Sequence, residues 1–112
     1  THVMDIAQGH LAALEYMDDV SGLHTANLGR GKAVTKVQTL KAYEAASGQP
    51  ILHRPADWSS KEVSRSVANP SWAHELLGWQ ARHSITAICE SSWNHLLTQK
   101  MVNAAETRGV RN

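Results

Sequence analysis

The sequence predicts a small mixed α/β domain, richer in helix than in strand, with about four helices and two to three short strands. Three observations predict it. Apolar residues recur at three- and four-residue steps near both ends of the chain. A capping-box pair, Thr35 and Gln38, opens a further helix between them. The stretches separating the helices are short, β-compatible and bounded by Gly, Pro or Asn.

Val3, Ile6, Ala7, His10, Leu11, Leu14 and Met17 form the apolar face of a first helix. Asp5 suits its cap or first turn, and Asp18 and Asp19 oppose the dipole at its end. Ser21-Gly22 turns the chain, and Leu23 to Leu28 reads as a short strand entering the Gly29-Arg30-Gly31 loop. The second helix runs from about Thr35 to Ser47. Val37, Leu40 and Tyr43 or Glu44 share a face, and Gly48 provides a left-handed stop. Pro50 to about Arg54 reads as a second strand, which Pro55 confines to an edge or ends. Val63 to Val67 alternates as a third. Asn69-Pro70 announces a short third helix ending at Gly78. Ser84 opens the last, whose stripe is Ile85, Ile88, Cys89, Trp93, Leu96 and Leu97. Met101 and Ala104 extend the stripe, and Gly109 ends it.

At 112 residues the chain has room for one core and no second domain. A compact fold of this length has a radius of gyration of about 13 Å. With 42% hydrophobic and 19% charged residues it is neither disordered nor membrane-like. A net charge of +1 without charge runs points to neither nucleic acid nor an anionic membrane. One cysteine excludes an internal disulfide and fits a reducing compartment, so a cytoplasmic protein is expected. No leader or spanning segment is present, and the Thr1 start suggests that sequence precedes it.

The chemistry on offer is sparse. The loop NLGRGKAVT has Ala26 and Ala33 where a Walker loop needs glycine and a hydroxyl, and Val34 where a dinucleotide loop needs its third glycine. It reads as a glycine turn into a helix. Seven histidines include no pair at ligand spacing, so no metal is expected, and His10 reads as a core histidine. Cys89 reads as a small buried hydrophobe. No G-x-S-x-G elbow occurs. Tyr16 and Tyr43 are followed four residues later by Val20 and Ser47, not by the lysine of a Tyr-x-x-x-Lys base. No catalytic residue is assigned.

The strings HVMDIAQGHLAALEYM, LHTANLGRGK, LKAYEAASGQP, ANPSWAHELLGWQA and CESSWNHL, in this order, resemble the carboxyl-terminal part of the UDP-glucose 4-epimerase family. The resemblance covers residues 1–97, an epimerase carboxyl-terminal-like domain, and leaves 98–112 as a helical extension and tail. In that family a Rossmann domain holds NAD and the catalytic Ser and Tyr-x-x-x-Lys, and the carboxyl-terminal part holds the UDP-sugar. The reaction oxidises the sugar at C4, rotates the keto intermediate and reduces it from the other face. The resemblance therefore implies a truncated substrate domain. It needs no cofactor of its own, does not bind NAD and is not catalytic alone.

The resemblance also implies where the substrate contacts fall. The Arg-Asp-Tyr run that precedes the family's HVMD motif would lie before Thr1. The arginine-rich segment that grips the diphosphate and ribose falls, without gaps, on Trp58, Ser59, Ser60, Lys61 and Glu62. The tyrosine or cysteine-tyrosine pair near the nucleotide falls on Arg65-Ser66-Val67, and the small apolar residue beside the base falls on Lys36. Lys36, Ser59, Glu62 and Ser66 are thus the substrate-binding positions, mostly substituted. Without the arginine fork, UDP-sugar binding should be weak or absent. A gapped alignment with Arg54-Pro55-Ala56-Asp57 restores only one arginine. Trp79 and Trp93 match aromatic positions of the family and read as core. Trp58 and Trp72 stand where it tends to carry arginine and lysine, which makes them interface candidates. A homodimer joined through one of them and part of the last helix is expected, the alternative being that both rings fold onto the core. The other readings are a piece of an intact epimerase, a repurposed interaction domain, and a binder of another sugar nucleotide.

Overall fold

The computed structural model describes residues 1–57 and 61–110. Four helices are present among them: α1 (Val3–Asp19), α2 (Lys36–Ser47), α3 (Ser71–Leu77) and α4 (Ile85–Val110). Each begins where local chemistry favours it. His2 caps α1, its Nδ1 accepting from Met4 N at 3.0 Å. The capping box of α2 is complete: Gln38 N donates to Thr35 Oγ1 at 3.1 Å, and Thr35 N donates to Gln38 Oε1 at 2.9 Å. Gly48, at φ 67°, ends α2 in the left-handed conformation, with its N–H donating to Glu44 O. Gly78 ends α3 in the same way. Asn69, two positions before α3 begins, accepts from Ser71 N and Ser71 Oγ, and Pro70 takes the N-cap position. Ser84 accepts from Ala87 N and so opens α4.

The expected strands are absent. Among the described residues there is no strand and no sheet, so the fold is α-helical rather than α/β. Segments 23–28, 50–54 and 63–67 are irregular connections. A strand exists only when a second strand completes its hydrogen-bond ladder, and each of these segments is isolated between helices. Leu23, Leu52 and Val63 are exposed at 95%, 98% and 74%, where a half-buried strand would cover them. Alternation over five residues does not distinguish a strand from an extended connection.

Packing is in two pairs, α1 on α3 and α2 on α4. Tyr43 of α2 and Ser92 of α4 share a hydrogen bond between their hydroxyls. The core is thin: Ala73, Trp79 and Cys89 are its buried apolar residues among those described. Trp93 is half-buried. The radius of gyration is 18.9 Å, well above the expected compact value, and the extents are 56 × 44 × 25 Å. Part of that length is α4, whose 26 residues span roughly 39 Å. The helix runs through Gly109 instead of stopping there. A glycine in a helix interior costs only about 1 kcal/mol relative to alanine, so it does not force an end.

The placing of α1 corrects the reading of His10. Its apolar stripe faces outward, with Val3, Leu11, Leu14 and Met17 all more than half exposed. The opposite side, with Asp5 and Gly9, is buried. Gly9 lets Leu28 pack closely there: a Cβ on it would lie 2.5 Å from Leu28 Cδ1, so the Leu28 side chain would have to shift. His10 is exposed, not a core residue, and its Nδ1 bonds Ile6 O at 2.8 Å.

Candidate functional site

Three of the four substrate-binding positions assigned from sequence come together. Lys36, Glu62 and Ser66 line one open cleft of about 680 Å³ beside the first turn of α2, with Arg65 also in its wall. Ser59 lies outside the described residues, as does Trp58. Lys36 Nζ donates to Glu62 Oε2 at 3.3 Å. Both groups are exposed, so the pair adds little to stability, about 0–1 kcal/mol. Its effect on the cleft is electrostatic: Glu62 offsets one of the two cations, Lys36 and Arg65. Among the described residues of this wall Arg65 is the one guanidinium, where the resemblance implies an arginine pair on the diphosphate. Trp72, the other interface candidate, is 62% exposed on α3.

A second cluster was not visible in the sequence. Asp5 is only 3% exposed and ties α1 to the segment before α4. Its backbone oxygen accepts from Trp79 Nε1 at 2.8 Å. Its Oδ2 accepts from the backbone N–H groups of Arg82 at 3.2 Å and His83 at 3.0 Å. Its Oδ1 accepts from His83 Nδ1 at 2.8 Å. An ionised carboxylate only accepts, so Nδ1 carries the hydrogen. Burial pushes the Asp5 carboxyl upward, but the hydrogen bonds from His83 and Arg82 outweigh it and hold the group below its ordinary range. His2 stacks on the His83 ring with centroids 4.2 Å apart. The partners lie 74 to 78 residues from Asp5, so no local pattern announces them. With three acceptor bonds to its carboxylate and a fourth to its backbone oxygen, the buried aspartate anchors α1 to residues 79–83. Cys89 is buried as expected, and burial raises its thiol pKa.

No helix among the described residues is long and apolar enough to cross a membrane. No family model matches the chain. Individual proteins do. Over 92 residues, 82% of the chain, it is 38% identical to UDP-glucose 4-epimerase of Neisseria meningitidis serogroup C and 40% identical to that of Mus musculus. The matched stretch is 27% and 26% of those proteins, so the chain spans about a quarter of the length of the relatives it matches. The fold matches too. UDP-glucose 4-epimerase from Bifidobacterium longum, in complex with NAD+ and UDP, superposes with a TM-score of 0.75 at 33% identity, covering 83% of this chain and 28% of that one. The enzyme from Stenotrophomonas maltophila, with bound NAD and formylated UDP-arabinopyranose, superposes with a TM-score of 0.79 at 30% identity, covering 88% and 30%.

Proposed function

This chain is related to UDP-glucose 4-epimerases along a stretch about a quarter of their length, and from that relation we propose that its 112 residues are an epimerase-type substrate segment that does not catalyse epimerisation by itself. The α2 cleft carries this reading. Lys36, Glu62 and Ser66 gather there, yet Glu62 pairs with the lysine and Arg65 is the one arginine among the described residues of the wall, in place of an arginine pair. The sequence has no Tyr-x-x-x-Lys base, and its one glycine loop lacks the third glycine of a dinucleotide site, so its residues do not fit NAD. Hydride transfer belongs to the cofactor, and a chain that cannot hold it cannot turn over.

Two measurements test the proposal. The purified chain with NAD and UDP-galactose should form no UDP-glucose. UDP-glucose should bind the α2 cleft at millimolar dissociation constants or weaker, since charge-assisted hydrogen bonds contribute about 1.5–3 kcal/mol each and the arginine pair that the resemblance puts at positions 58–62 is replaced. Micromolar binding abolished by Lys36→Ala would overturn the reading.

Association is the second part of the proposal, supported by exposed apolar surface on three helices. Val3, Leu11, Leu14 and Met17 on α1, Trp72 on α3, and Leu96, Leu97, Met101 and Val102 on α4 are all at least 40% exposed. Stable monomers rarely leave patches larger than a few hundred Å² uncovered. The homodimer uses Trp72 and the outer part of α4. A 12.3 kDa monomer with a cooperative thermal transition, seen by light scattering, would refute it. A dimer left intact by Trp58→Arg with Trp72→Lys would refute the choice of surface. The reading places the protein in the cytoplasm, in keeping with its one buried thiol.

A further inference from the structure

A groove of about 570 Å³ lies between the Gly29–Lys32 loop and the stretch from Pro70 to Ser84. Arg30, Lys32 and Arg82 line it together with two imidazoles, His74 and His83. No acidic residue is in its wall. The ion pairs Lys36–Glu62 and His83–Asp5 involve none of these three cations, and the Asp5 carboxylate meets the wall through the Arg82 backbone N–H and the His83 ring. Arg30 is also partly buried, the environment in which an unmatched guanidinium most needs an anion.

The concentration of charge is local. The whole chain carries +1, yet three residues of fixed positive charge line one groove. A concave wall of one sign focuses potential and draws counter-charge from solution. Arginine presents parallel N–H donors that match phosphate oxygens, and a lysine adds a point charge. The volume lies in the range of small-molecule sites. His83 is already oriented: Asp5 accepts from Nδ1, which leaves Nε2 as the free ring nitrogen.

We propose that this groove is an anion site for a diphosphate group, held by Arg30, Lys32 and Arg82. A free diphosphate and the tail of a nucleotide share this chemistry. The site is separate from the α2 cleft and does not rest on the epimerase-type reading, because Lys36 and Glu62 are not in its wall.

The test is calorimetric titration of the full chain, at low salt, with pyrophosphate, ADP and adenosine in turn. Pyrophosphate should bind saturably, and affinity should fall steeply with added salt. Arg30→Ala with Arg82→Ala should weaken it by at least about tenfold, since two charge-assisted contacts are lost. Lys36→Ala and Lys100→Ala should leave it unchanged. Far-UV circular dichroism confirms that the double variant keeps its helices; if it does not, Lys32→Glu, at an exposed position, replaces it and should weaken binding as well. Equal affinity for pyrophosphate and ADP identifies the free anion as a sufficient ligand, and tighter ADP binding identifies a nucleotide. No saturable binding at millimolar pyrophosphate, stronger binding of adenosine than of pyrophosphate, or equal loss in Lys100→Ala would overturn the proposal. Loss in Lys36→Ala alone would move the ligand to the α2 cleft and overturn it equally.

Discussion

Replacing Asp5 by alanine should be the most damaging single change in this chain. The substitution removes the carboxylate and leaves three donors without it: Arg82 N, His83 N and His83 Nδ1. A buried donor left unsatisfied costs about 1–3 kcal/mol. The His83 side chain is 41% exposed, so water can replace part of what is lost and the lower end of that range applies. Three such donors give a loss of roughly 3 kcal/mol. Asp5→Asn keeps one acceptor oxygen but loses the charge, and should cost roughly 1 kcal/mol, because charge-assisted bonds are about twice as strong as neutral ones. The Trp79 bond survives both variants, since it uses the Asp5 backbone. Urea unfolding at neutral pH, followed by tryptophan fluorescence and circular dichroism, measures the series. The sign of the pH effect follows from the lowered carboxyl. Its stabilisation is fully present above the ordinary value of 3.8 and is lost as pH falls through the lower folded-state value. The acid limb of the wild-type stability curve should therefore flatten in Asp5→Asn. An alanine variant within about 0.5 kcal/mol of wild type, the range of an ordinary surface substitution, would refute the anchoring role.

Two further outcomes test the packing. Gly9→Val should destabilise by roughly 1–3 kcal/mol, because the added atoms meet Leu28, and equilibrium unfolding reads the change. Cys89 should react slowly with a thiol reagent in the native chain and rapidly in denaturant, because the thiol is 1% exposed and its pKa is raised; fast native labelling would contradict its burial.

The sequence by itself determined what local chemistry controls. Thr35 and Gln38 are three residues apart, so the start of α2 was legible, and Gly48 and Gly78 marked two ends because only glycine takes positive φ cheaply. The spacing around Cys89 placed it inward on α4. The similarity to UDP-glucose 4-epimerases was legible too, from five short strings in order. The strands were misread because their existence depends on a neighbouring strand, which is a property of tertiary arrangement. The core placement of His10 was misread for a related reason. Periodicity shows that a helix has an apolar face but not what that face meets. Here Asp5, through partners more than seventy residues away, fixes the polar side inward and leaves Val3, Leu11, Leu14 and Met17 in solvent. The α2 cleft and the basic groove belong to the same class. Lys36 and Glu62, or Arg30 and Arg82, become neighbours only when the helix pairs set the path of the connections between them. Caps are decided within four residues, whereas burial and sites are decided by which distant segments the chain brings together.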